Sequence, residues 1–124
     1  MLENSEAFGS FSVDDVSEAG RFYGETLGLR VSERDEPMSM LALHIAGAQD
    51  VMLYAKPDHA PASFTVLNFP VEDIEGTVDE LTERGVRFEH YDETDEKGIY
   101  RGGTQPIAWF KDPAGNVLSV IQLG

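Results

Sequence analysis

Val13-Asp14-Asp15-Val16 and Val71-Glu72-Asp73-Ile74 are one pattern used twice, separated by 71 − 13 = 58 residues. Each joins the aliphatic end of an extended segment to an Asp placed to cap a helix. Gly9-Ser10-Phe11-Ser12 precedes the first copy and Thr65-Val66-Leu67-Asn68-Phe69 the second. Each copy is followed by a helical stretch and then by a Gly stop, Gly28-Leu29-Arg30-Val31 in one half and Gly85-Val86-Arg87-Phe88 in the other. The unit that repeats therefore begins strand, helix, strand.

The apolar spacing fills in the rest. Val16, Ala19, Phe22, Tyr23 and Leu27 make one helical stripe, with Asp15 as N-cap and Glu18 three residues on. Ile74, Val78 and Leu81 make the second, capped by Asp73 and closed by Gly85 in a left-handed conformation. Gly76 interrupts that helix at a cost of about 1 kcal/mol relative to Ala, for no reason visible in the sequence. Three strands are predicted after each helix: residues 29–34, 38–46 and 51–56, then 86–91, 105–111 and 117–123. Turn formers separate the last two of each set, Gly47-Ala48-Gln49-Asp50 and Asp112-Pro113-Ala114-Gly115-Asn116. Within 38–46 both alternating sides are apolar, Leu41, Leu43 and Ile45 against Met40, Ala42 and His44, so both faces of that sheet are expected to be covered. The chain thus reads as an α+β fold of two βαβββ modules, at about residues 7–56 and 63–124. The proline-containing stretch 57–62 links them in one domain.

Bulk composition narrows the class. At 41% hydrophobic and 26% charged residues over 124 positions, the chain can bury a real core. It has no cysteine, which excludes disulfides, thiolate nucleophiles and thiolate metal sites. Nine basic against 23 acidic residues give a net charge of −14, which repels a nucleic-acid backbone. That charge either attracts cationic ligands, serves solubility, or reflects a genomic or salt-adapted bias in composition. No apolar run is long enough to cross a bilayer, so no membrane partner is expected. The acidic start, Met1 to Glu6, lacks the basic character of a signal peptide, and cytoplasmic residence is expected.

The repeat, Phe22-Tyr23-x-x-x-Leu27-Gly28-Leu29, Leu81-x-x-x-Gly85-Val86 and Phe110-Lys111-Asp112-Pro113-Ala114-Gly115-Asn116 together resemble the vicinal oxygen chelate superfamily of glyoxalases, bleomycin-resistance proteins and dioxygenases. The resemblance runs from about Ala7 to the end. It implies two curved mixed sheets around a central pocket and a homodimer. It also implies one of two chemistries. The enzymes of the superfamily hold a divalent ion that chelates neighbouring substrate oxygens, whereas the bleomycin-resistance proteins bind their drug without metal.

Residue by residue, the metal positions implied by the resemblance fall on Phe8, Val66 and Ser119, with a fourth at Met52, Leu53 or Tyr54. A catalytic divalent site needs about three strong N or O donors, and this set does not supply them. No metal and no cofactor are therefore expected. Of the histidines, His59 falls in the linker, His90 at a strand end, and His44 on a face that could meet the pocket.

The resemblance, by way of its ligand positions and the strand neighbours that share their face, implies a ligand-binding set of Phe8, Ser10, His44, Tyr54, Asn68, Trp109 and Ser119. The acidic stretch 89–98 should lie near the pocket mouth, gating it, attracting a cation, or simply forming a solvated turn. Arg101 beside it either holds a ligand carboxylate or pairs with the loop. Catalytic residues are not identifiable. The expected function is a metal-independent small-molecule-binding protein, of the drug-sequestering kind. The alternatives are an enzyme (lyase, isomerase or dioxygenase-like) with a relocated metal site, and a non-catalytic dimeric regulatory subunit.

Overall fold

The structure, a computed structural model, describes residues 1–35 and 39–123. It divides into two compact units, Met1–Ala60 and Pro61–Gly124. The first contains β1 (Ser10–Val13), α1 (Val16–Arg21), β2 (Arg30–Arg34), β3 (Met40–His44) and β4 (Val51–Ala55). The second contains β5 (Thr65–Val71), α2 (Ile74–Glu83), β6 (Ile99–Tyr100), β7 (Ile107–Lys111) and β8 (Val117–Gln122). The start of the expected 38–46 strand, Met38, lies outside the described residues.

Each unit folds into one four-stranded mixed sheet, in the orders β1-β4-β3-β2 and β5-β8-β7-β6. The first strand of each module runs parallel to the last, and the other pairs are antiparallel. The two-module α+β fold expected from the repeat is therefore present. Its registers also preserve the repeat: Ser10 stands opposite Met52, and Asn68, 68 − 10 = 58 residues later, stands opposite Ser119.

Both helices start where their Asp residues place them. Asp15 accepts the amides of Ser17 and Glu18 at 2.9 and 3.2 Å, and Asp73 accepts the amide of Gly76 at 3.1 Å. Each cap contributes about 1 kcal/mol. The second cap also explains Gly76: a Cβ there would lie 2.5 Å from Asp73 Oδ2, so the glycine makes room for the capping carboxylate. At the other end of α2, Gly85 (φ 97°) donates to Thr82 and Val86 donates to Leu81, the paired bonds that stop a helix in the left-handed conformation.

Two elements differ from expectation. The first helical stripe does not continue as α-helix to Leu27. After Arg21 the chain widens into a π-helical segment, Phe22–Thr26, with Leu27 N–H bonded to Phe22 O at 2.9 Å. The wider turn leaves Tyr23 fully buried, edge-on to Phe22 at 5.3 Å and 6.4 Å from Phe11. In the second unit, residues 86–91 form no ladder. Phe88 makes a single bridge to Phe110 and Glu89 N–H donates to Trp109 O, after which the chain departs and returns as β6, paired with β7.

The helix side of each sheet holds the core. In the first it is Val13, Leu41, Leu43 and Leu53, with α1 supplying Val16 and Ala19. In the second it is Ala108, Phe110, Leu118, Val120 and Ile99, with Ile74 and Val78 from α2. Gln122 on the same side accepts the amide of Ile74 at 2.9 Å, tying helix start to strand end. The β7–β8 turn is organised by Asp112, only 4% exposed, whose carboxylate accepts the amides of Ala114 and Asn116 and the Asn116 side-chain amide.

Candidate functional site

Pleating puts alternate residues of each strand on the face away from the helix. On the second sheet the register sets Asn68, Ser119 and Trp109 in one row across β5, β8 and β7. Ser119, completely buried, donates its hydroxyl to Asn68 Oδ1 at 2.5 Å. Three of the expected binding residues thus meet. One parity step fails: the β5–β8 register shifts between Thr65 and Leu67, so Thr65, not Val66, stands opposite Val117. A bulge of this kind cannot be read from alternation.

Trp109 extends the row into a cleft of about 500 Å³, lined by Tyr91, Asp92, Glu93, Thr94, Tyr100 and Trp109. The indole meets Tyr91 edge-on with ring centroids 5.7 Å apart, and Tyr100 at 6.3 Å with the planes tilted by 39°. Thr94 holds the turn closed by donating its hydroxyl to Tyr91 O at 2.8 Å and accepting the Tyr91 amide at 2.9 Å. The acidic loop lines this opening. Its two tyrosine flanks were not among the residues expected at the site, and their signal was only their position at either end of a charged run.

Two of the loop carboxylates are ion-paired. Glu89 is 3.8 Å from Lys111 Nζ, and Asp95 is 3.4 Å from Arg101 Nε. Burial pushes the Asp95 carboxyl up, but the amides of Ile99 and Lys97 and the Arg101 guanidinium outweigh it and hold it below the usual range. Asp92 and Glu93, which line the cleft, have no basic partner within ion-pair distance among the described residues. Arg101 also reaches Glu75 at 3.3 Å, so its guanidinium joins the loop to α2.

In the first unit the expected residues are more dispersed. Phe8 is 64% exposed, and Ser10 is exposed opposite Met52. Tyr54 is half-buried between Ser12 and Met40 in register. His44 bonds Ser32 and Asp50 through its two ring nitrogens. His59 bonds Ser12 Oγ through Nδ1 at 2.6 Å, which ties the chain after β4 back to β1.

The chain matches the Glyoxalase/Bleomycin resistance protein/Dioxygenase superfamily over residues 9–120. It belongs to that superfamily. Among solved structures it is similar to TnmS3, an antibiotic binding protein from Streptomyces sp. CB03234, at 26% identity and TM-score 0.79, covering 100% of this chain and 99% of that one. A glyoxalase/bleomycin resistance protein from the same Streptomyces is 28% identical at TM-score 0.69, covering 94% and 98%. A superfamily member from Sphaerobacter thermophilus DSM 20745 is 25% identical at TM-score 0.73, covering 99% and 100%. No curated protein sequence matches.

The resemblance implies metal positions at Phe8, Val66 and Ser119 and at one residue of β4. By register the fourth of them, open between Met52, Leu53 and Tyr54, falls on Met52, the residue that stands to Ser10 as Ser119 stands to Asn68. Phe8, Val66 and Met52 offer no oxygen or nitrogen side-chain donor, and the Ser119 hydroxyl is spent on Asn68. This donor set does not fit a divalent ion. Among the described residues no group of three His, Asp or Glu side chains is placed to hold one elsewhere.

Proposed function

We propose that this chain is a metal-independent binder of a flat, positively charged small molecule, sequestering it as a drug-binding protein does. The observation that carries the reading is the cleft itself. Three aromatic rings and two carboxylates without basic partners among the described residues surround one opening. Aromatic faces attract cations by their quadrupoles, by about 0.5–2 kcal/mol per contact, and also stack on planar rings. Asp92 and Glu93 add charge attraction, and the net charge of −14 extends it over the surface. The likeness to an antibiotic binding protein supports a small-molecule ligand. Homodimeric assembly, implied by the resemblance, and cytoplasmic residence, which suits a sequence without cysteine, belong to the same proposal.

Trp109 is the only tryptophan, so its fluorescence reports on the cleft directly. Titration with proflavine, a planar cation, should quench it saturably, while the anion 9-anthracenecarboxylate should not. Asp92→Asn with Glu93→Gln should weaken proflavine about tenfold or more, the size of one to two lost charge contacts. Equal response to cation and anion, or no effect of the double substitution, defeats the reading.

A further inference from the structure

The face of the first sheet that turns away from α1 carries an arrangement that ligand binding at Trp109 does not use. Ser32 lies mid-way along β2, the edge strand, and His44 ends β3. Ser32 stands opposite Ala42, so His44 is its diagonal neighbour, within reach of a long side chain. Ser32 Oγ is 2.7 Å from His44 Nε2, and His44 Nδ1 is 3.1 Å from Asp50 Oδ1. The β3–β4 turn returns Asp50 to this point just ahead of Val51.

Hydroxyl, imidazole and carboxylate are therefore wired in series through opposite ring nitrogens. The carboxylate only accepts, so it selects the tautomer with the proton on Nδ1. Nε2 is then left as the acceptor facing the serine hydroxyl. That is the logic of an activated nucleophile, recognisable by geometry and roles on any fold. The set is open to solvent: the His44 and Asp50 side chains are 29% and 40% exposed. Arg30 and Arg34 flank Ser32 on the same face of β2, and Arg30 stands directly opposite His44. In so acidic a chain, two exposed arginines on either side of Ser32 along the same strand face favour negative charge there.

We infer that Ser32, His44 and Asp50 form a nucleophilic hydrolysis site for small acyl esters, with acyl groups carrying a carboxylate preferred through Arg30 and Arg34. Ser32 Oγ bonds to the acyl carbon and gives its proton to His44 Nε2. The ester C–O bond breaks, and the alcohol leaves with that proton. Water then attacks the acyl-serine and passes a proton to Nε2. The acyl–Oγ bond breaks, the acid departs, and Oγ regains the proton. Asp50 is a positioning residue that acts through the imidazole.

The test is reaction of the full chain with a fluorophosphonate probe, followed by peptide mass mapping. The expected result is one adduct, on Ser32. Its location on the unsubstituted chain does not depend on any variant folding. Asp50→Asn should slow labelling about tenfold or more while the thermal midpoint and proflavine binding stay as they were. Ser32→Ala should abolish both the label and turnover of p-nitrophenyl esters, and the unsubstituted chain should cleave the hemisuccinate faster than the acetate. An adduct on another residue, no adduct, or undiminished labelling in Asp50→Asn overturns the assignment. A hemisuccinate rate at or below the acetate rate overturns the role of the arginines.

Discussion

Gly76 shows how a residue that weakens a helix can be kept by the end of the same helix. An alanine there gains about 1 kcal/mol of helix propensity, but its Cβ meets the carboxylate that caps α2. The two effects are similar in size and opposite in sign. Gly76→Ala should therefore leave stability within about 0.5 kcal/mol of the parent, whereas Asp73→Ala should cost about 1 kcal/mol. Urea unfolding of the two variants checks this, and a clear stabilisation by Gly76→Ala would show that the cap is dispensable. Asp112 is the sharper case. It is buried and satisfies three donors of the β7–β8 turn, so Asp112→Ala strands them and should cost about 2–4 kcal/mol in the same measurement.

At the scale of elements, the loop between Phe88 and β6 holds the aromatic cleft, and Asp95 holds the loop. Its Oδ1 accepts the amides of Lys97 and Ile99, and its Oδ2 meets Arg101. Because its folded pKa is depressed, its contribution is present above the unfolded carboxylate value of about 3.9 and fades as pH falls through the lower folded value. Asp95→Asn should be less stable than the parent at pH 7, and the gap should close as unfolding is repeated at pH values down to 3. A gap that stays constant would place the effect elsewhere. In this loop local spacing no longer determines the fold. Both helices, their Asp caps and the order of strands follow from spacing that a chain must obey wherever it folds. The edge strand does not: Val86 and Phe88 alternate like a ladder strand and are buried like one, yet the pairing with β7 passes to Ile99 and Tyr100 because Asp95 fixes the return of the chain. Trp109, Asn68 and Ser119 are legible as a group from the ligand positions implied by the resemblance together with alternation, and the register joins them across β5, β8 and β7. Tyr91, Tyr100 and the link between Ser32 and Asp50 are not, because loop path and diagonal contacts carry no period.

At the scale of the whole molecule, charge and composition set how a ligand arrives. With 23 acidic against nine basic residues, association of a cation should be fastest at low ionic strength. Stopped-flow quenching of Trp109 by proflavine should slow several-fold between 10 and 150 mM salt, while the off-rate changes little. An on-rate indifferent to salt would reduce the acidity to a solubility device. The proposed function is metal-free because Phe8, Val66 and Met52 carry no oxygen or nitrogen side-chain donor and the Ser119 hydroxyl is bonded to Asn68. Calorimetric titration of proflavine into the chain before and after exhaustive treatment with a chelator tests that choice most directly. The account predicts the same affinity and stoichiometry in both, with no gain when Zn²⁺, Mn²⁺ or Fe²⁺ is returned. Binding that is lost with the chelator and restored by one of these ions would contradict it.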